Sequence, residues 1–337
     1  MRAIIPVAGK GDRLNPITDI KPKVLVEVAG KPVLGYIIDS FKNSPITEIV
    51  LVVGYLKDQV IDWVRKEYES RFNIQFVHQD NQLGLGHAIY VARDFLDDSE
   101  IVIALGDEIF LTPYPDMLKP YRAQSDIAGA LGIKTVGNPS HYGMVQIGFD
   151  NTITHMVEKP NRFPTDTAVA GVYYLKHGYD LLSSLEMMTT NCKNHGEYQL
   201  TDALQLMIKN GAKMIAFDVG EWYDCGRFEV LLRSNRQILE KNHFISPSSQ
   251  IINSEIIPPC HIGSNSMIVD SKIGPYASIG HDAKIDSSYI SNSILESKSV
   301  VKSASLEGGF VSGNRAFMNH RDEAGCDCED IEQSFSS

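Results

Sequence analysis

Ala3-Ile-Ile-Pro-Val7, continued by Ala8-Gly-Lys-Gly-Asp-Arg-Leu-Asn-Pro-Ile-Thr18, decides how the rest of this chain is read. A short apolar run that stops at two glycines predicts a first β-strand whose carboxyl end opens into a loop. Glycine there lets backbone N–H groups approach a ligand closely, and clustered N–H groups suit phosphate. Arg13 adds a forked cation, and Lys23, in Lys21-Pro-Lys23-Val-Leu25, a mobile one. The spacing is not that of a Walker loop. It also fails the dinucleotide G-x-G-x-x-G pattern, because position 14 is leucine.

Outward from this loop, helical and strand patterns alternate. Val33 to Phe41, Gln59 to Phe72 and Leu85 to Leu96 have helical spacing. Glu48 to Val53, Ile74 to His78 and Ile101 to Leu105 are β-rich runs, the last ending at Gly106-Asp107. Such alternation implies parallel strands with helices on both faces and ligands at the carboxyl ends of the strands. Asp126 to Ile133 and Ala168 to Leu175 are further strands. Met144 to Ile147 and Ile153 to Glu158 form a hairpin about Asp150-Asn151, so the sheet is mixed. Thr201 to Asn210 and Arg227 to Asn242 are helices.

From about Ile245 the texture changes. Apolar residues recur every five or six positions, as Ile245, Ile251, Ile256 or Ile257, Ile262, Ile268, Ile273, Ile279, Ile285 and Ile290, with small residues between them. This is the pattern of a hexapeptide β-helix, in which one inward aliphatic residue per strand stacks on the next coil. The pattern fades after about Val301. The expected fold is therefore α/β, a Rossmann-like mixed sheet with helices on both faces, plus a short left-handed β-helix. The expected domains are 1–240 for catalysis, 241–312 for the β-helix and 313–337 as an acidic flexible tail.

The chain has 337 residues, enough for two domains, and 43% of them are apolar. No apolar run approaches the roughly 18 residues of a membrane helix. The N-terminal run stops too early for a signal peptide, so a soluble, cytoplasmic protein is expected. A net charge of -11 argues against a general nucleic-acid binder. Positive charge is instead local, in Lys10, Arg13, Lys21, Lys23 and Lys31. Five cysteines lack a framework spacing, and Cys326 and Cys328 fall in the acidic tail.

The segment from Gly9 to Thr18 with Pro22-Lys23 resembles the signature of sugar-phosphate nucleotidyltransferases, G-x-G-T-R-L-x-P-x-T followed by P-K. It departs at Asp12, where threonine is usual. Gln79-Asp-Asn-Gln-Leu-Gly84-Leu-Gly-His-Ala88, Gly106-Asp107, Tyr142-Gly143, Glu158-Lys159-Pro160, Gly171-Val172 and Trp222-Tyr-Asp224-Cys-Gly226 follow in the order of that family. The resemblance spans about residues 1 to 240, and the repeat resembles that of long-form members. It implies nucleotide contacts from Ala8, Gly9, Gly11, Asp12, Gln79 and Gly84. It implies sugar-phosphate contacts from Tyr142, Gly143, Glu158, Lys159 and Val172. Arg13, Lys23 and Lys159 would be catalytic, and Asp107 and Asp224 would hold Mg²⁺.

These residue types suit the implied reaction. A sugar phosphate oxygen attacks the α-phosphorus of a nucleoside triphosphate. Both reactants are anions, so cations and one or two magnesium carboxylates are needed. The nucleophile is already ionised and needs no general base. The Gly84-Leu-Gly-His-Ala stretch resembles the thymidylyl and uridylyl branches, which makes dTTP or UTP and glucose 1-phosphate the default substrates. Other readings stand beside this one. One is a hexapeptide acyltransferase with His261 or His281 as its histidine, and another is a regulatory or scaffold relative. Taken singly, Asp107 reads as a helix N-cap, Glu158-Lys159 as a solvated pair, Trp222 as core and His87 as structural. The β-helix predicts a homo-oligomer.

Overall fold

The computed structural model describes residues 1–191 and 196–318. Cys192, Cys326, Cys328 and the acidic stretch from 319 onward lie outside the described residues. By internal contact the chain forms two compact units: Met1–Gly9 with Ile37–Trp222, and Lys10–Tyr36 with the chain from Tyr223 onward.

The first unit is built on β1 (Arg2–Pro6), whose Ala3, Ile4 and Ile5 are fully buried. An unbroken apolar run fits a strand covered on both faces. β1 pairs in parallel with β2 (Glu48–Val53) and with β4 (Ile101–Ala104), and β2 pairs in parallel with β3 (Asn73–His78). Four more strands are β5 (Gly129–Thr135), β6 (Gly143–Ile147), β7 (Ile153–Glu158) and β8 (Thr167–Leu175). β8 runs antiparallel to β4, β5 and β6. The hairpin β6–β7 forms as expected, and the sheet is mixed. The edge strand β9 (Met214–Asp218) pairs in parallel with β5.

The helices are α1 (Val33–Ser40), α2 (Lys57–Tyr68), α3 (Leu85–Val91), α4 (Tyr114–Arg122), α5 (Gly178–Asn191), α6 (Leu200–Lys209) and α7 (Phe228–Lys241). α3 is shorter than its pattern, because Arg93–Phe95 continues it only as a 3-10 turn. α4 and α5 and the strand β9 have no counterpart in the sequence reading. Pro115 and Pro120 hide α4, yet one opens it and the other sits near its end. No helix among the described residues is long and apolar enough to cross a membrane.

In the second unit, residues 244–318 form three sheets of very short parallel strands, the β-helix expected from the repeat, and Arg315–Met318 closes one sheet by pairing antiparallel with Gly309–Ser312. Three aliphatic ladders fill it: Ile245–Ile262–Ile279–Leu295–Val311, Ile251–Ile268–Ile285–Val301 and Ile256–Ile273–Ile290–Leu306. The coils therefore outlast the isoleucine pattern, because leucine and valine complete them. Serines stitch one corner: Ser271 N donates to Ser254 Oγ at 3.0 Å, Ser288 N to Ser271 Oγ at 3.0 Å, and Ala304 N to Ser288 Oγ at 3.1 Å.

Candidate active site

In the first unit, the carboxyl ends of the parallel strands carry the polar loops. Gln79 follows β3, and its N–H donates to Val53 O at 2.9 Å. Its side chain is buried, donates to Gly84 O at 3.2 Å and lies 3.0 Å from His87 Nδ1. Gly84 has φ +100°, and a Cβ there would come within 2.6 Å of Tyr198 O, so only glycine fits. Gly86 N donates to Tyr198 O at 2.7 Å, and Tyr198 N to Leu83 O at 2.7 Å. Gln82 Nε2 then ties this loop to Ala8 O at 2.9 Å. His87 stacks on Tyr198 with centroids 6.4 Å apart, and burial lowers its pKa, which favours the neutral ring. Gly9 is exposed at the end of the β1 loop.

Asp107 follows β4 in a turn and is half-buried. No helix begins there: the strand Glu108–Phe110 follows at once, so the N-cap reading does not apply. Glu108, which the sequence reading passed over, is buried and accepts from Trp222 Nε1 at 2.7 Å. Its carboxylate lies against Gly171, where φ is +49° and a Cβ would come within 2.2 Å of Oε2. Gly171 sits in a register shift of β8, the kind of bulge that re-aims side chains beside a site. Trp222 is half-buried rather than core, and meets Tyr142 edge to face at 5.6 Å.

Gly143 and Glu158 face each other across β6 and β7. Glu158 Oε2 accepts from Thr201 Oγ1 at 2.6 Å. A Cβ on Gly143 would lie 2.7 Å from Thr201 Oγ1 and 3.0 Å from Glu158 Oε2, so glycine keeps this carboxylate in place. Asp202, the next residue along α6, has its pKa raised, first by burial and then by the charge of Glu158. Lys159 N donates to Tyr142 O at 2.9 Å, and Lys159 adopts a left-handed φ of +42°. Its Nζ lies 3.6 Å from Glu158 Oε1 at an exposed position. Val172 is fully buried on β8, paired with Ala104 just before the Asp107 turn.

In the second unit, Gly11 has φ +79°, and a Cβ there would meet Lys23 Cβ at 3.0 Å, Lys23 Cδ at 3.1 Å and Thr18 Cγ2 at 3.2 Å. The stem of Lys23 therefore lies directly on the glycine loop. Thr18 Oγ1 braces the loop through Gly11 O at 3.1 Å and Asn15 Oδ1 at 2.7 Å. Asp12 is exposed and lies 3.3 Å from Lys10 Nζ, which offsets its charge locally. Arg13 and Asp224 come together at Gly226: a Cβ there would lie 2.6 Å from Arg13 Nη2 and 2.9 Å from Asp224 Oδ1. Gly226 N donates to Asp224 Oδ1 at 3.1 Å, which orients the carboxylate.

Asp107 and Asp224 are hard oxygen donors of the kind Mg²⁺ takes, one or two at a time, together with phosphate oxygens and water. Among the described residues no group of three or more His, Cys, Asp or Glu gathers to hold a metal. Each carboxylate by itself suits an ion that completes its coordination with phosphate oxygens and water. The two β-helix histidines differ. His261 packs under Gly30, where a Cβ would lie 2.0 Å from Nε2, and burial lowers its pKa to about 4. His281 lies at the surface, 2.7 Å from Asp282 Oδ2.

Known proteins resemble the chain over this same region. Bifunctional protein GlmU of Methanococcus maripaludis strain C7 is 36% identical over 245 residues, covering 72% of this chain and 55% of that protein. The chain thus spans about half the length of such relatives. Glucose-1-phosphate thymidylyltransferase of Streptomyces antibioticus is 29% identical over 334 residues, covering 93% of this chain and 92% of that one. A solved UDP-glucose pyrophosphorylase, complexed with UDP-glucose, superposes with a TM-score of 0.63 at 25% identity, over 72% of this chain and 99% of that chain. The model of the family described as nucleotidyl transferase matches residues 2–241, the part that carries the glycine loop and the strand-end carboxylates alike, and the chain belongs to that family.

Proposed function

We propose that the protein transfers a nucleotidyl group from a nucleoside triphosphate to a sugar 1-phosphate, releasing pyrophosphate. The observation that carries this reading is the loop in which the Lys23 stem lies on Gly11. It presents backbone amides and an ammonium to phosphate on one short segment. The relatives' names support dTTP or UTP as donor and glucose 1-phosphate as acceptor.

In this reading the sugar phosphate oxygen forms a bond to the α-phosphorus as the bond to the β-phosphate oxygen breaks. Lys23 and Lys159 align the phosphates, and Arg13 offsets charge on the departing pyrophosphate. Glu158, held by Thr201, accepts from sugar hydroxyls, beside Tyr142, Gly143 and Val172. Gln79 and the Gly84 backbone face the base, with Ala8, Gly9 and Asp12 beside the nucleotide. Asp107 and Asp224 are the carboxylates that would hold Mg²⁺, which would supply neutralisation of phosphate charge. A cytoplasmic location goes with these substrates. Exposed Ile252, Met267 and Val300 on the β-helix support a homo-oligomer formed through it. The packing of His261 disfavours an acyltransferase.

The test is pyrophosphate release from a panel of triphosphates and sugar 1-phosphates with Mg²⁺, beside Asp107→Asn and Asp224→Asn. Release with dTTP or UTP and glucose 1-phosphate, lost in both variants, is expected. No release from any pair would refute it.

A further inference from the structure

Lys21 stands two residues before Lys23 and has no assigned role in the reaction above. Its Nζ lies 2.5 Å from Glu296 Oε1 on the β-helix, with side-chain exposures of 23% and 4%. Glu296 is fixed in turn: Oε2 accepts from Ser312 Oγ at 2.7 Å, and its N–H donates to Val311 O at 2.8 Å. Glu27, four residues after Lys23, accepts from Ser297 Oγ at 3.0 Å. Burial, first, and then the Glu296 charge raise the Glu27 pKa, while Lys21 opposes them. Further along, Ala29 N donates to Asn235 Oδ1 at 2.9 Å, and Asn235 Nδ2 donates to Tyr276 O at 3.0 Å. Gly30 then covers His261. The stretch from Lys21 to Gly30, with Lys23 inside it, is thus fastened to the β-helix and to α7 at both ends.

A buried ion pair is a poor way to gain stability. Desolvation consumes most of the attraction, and apolar side chains of similar volume do as well. What the pair supplies is a fixed direction and distance. It grips the backbone two residues from the lysine whose stem lies on Gly11. A displacement of about 1 Å in such a group can lower a rate about 100-fold.

We propose that Lys21 and Glu296 are positioning residues, through which the β-helix sets the place of Lys23 in the reaction. The proposal rests on the function given above. Lys21→Met, Glu296→Gln, the double variant and Lys21→Arg are made in the full chain. Each single variant is expected to lose roughly 10- to 100-fold in kcat, with KM for the triphosphate within about threefold. The double variant is expected to lose no more than the worse single one. Lys21→Arg is expected to keep most of the activity. Tm is expected to fall by several degrees in the two single variants, each of which breaks the pair from one side, and by less in the double variant and in Lys21→Arg. Losses that multiply in the double variant, or single variants within about twofold of the parent, would overturn the proposal. Hydrogen exchange of the peptide over 19–27 reads the same coupling without turnover. Exchange should rise in both single variants, and unchanged exchange would overturn the proposal. Absence of pyrophosphate release by the parent is a failure of the function, and exchange still decides the positioning.

Discussion

Gly11→Ala separates the geometry of the glycine loop from its charge. The backbone at Gly11 is left-handed, φ +79°, which costs an L-residue about 1–2 kcal/mol. The added Cβ would also press on Lys23 Cβ, Lys23 Cδ and Thr18 Cγ2 at 3.0 to 3.2 Å. Those neighbours must yield by a few tenths of an ångström, and the Lys23 stem is the softer of them. Together the two effects place about 2 kcal/mol on the loop, equivalent to a loss of roughly 30-fold in kcat/KM. Global stability falls by no more than that strain, a shift of a few degrees in Tm for a chain of this size. The assay is initial-rate pyrophosphate release with calorimetry on the same samples. Gly11→Asn, which accepts the left-handed backbone more easily, should recover part of the loss. Gly11→Ala within about twofold of the parent in kcat/KM, at unchanged Tm, would show that the loop does not depend on this conformation.

His261 gives a pH signature. Its pKa is about 4 in the folded chain against about 6.5 unfolded, so the unfolded chain binds the extra proton between these values. The contribution is complete above pH 6.5 and is lost as pH falls towards 4, by about 2 kcal/mol between pH 7 and pH 5. Urea midpoints at the two pH values should show it, and His261→Phe should flatten the slope; an unchanged slope would assign it elsewhere. Ile285, 1% exposed and stacked between Ile268 and Val301, should lose about 2–5 kcal/mol on Ile285→Ala. Thermal unfolding checks this, and a loss below about 1 kcal/mol would mean that the ladder is not a packed core.

Much of this protein was legible in the sequence. Glu48–Val53 is legible to its ends because the apolar run Ile49–Val53, preceded by a charged residue and stopped by Gly54, leaves little choice. The isoleucine repeat announced the β-helix but understated it, since Leu306 and Val311 do the same packing without matching the pattern. Pro115 and Pro120 concealed a helix whose proline positions tolerate them. The glycine loop, Arg13 and Lys23 stand out as phosphate-binding candidates because that chemistry is local, carried by residue type and spacing, whereas the roles given to Asp107 and Asp224 come only with the family resemblance. What only the tertiary structure decided is which distant partners hold those residues. Glu108 against Gly171, Thr201 on Glu158, Arg13 beside Asp224 and Lys21 on Glu296 each join segments far apart in the chain. No periodicity records such pairs, because they exist only once the sheet and the coils have closed and brought the two backbones within a side chain's reach.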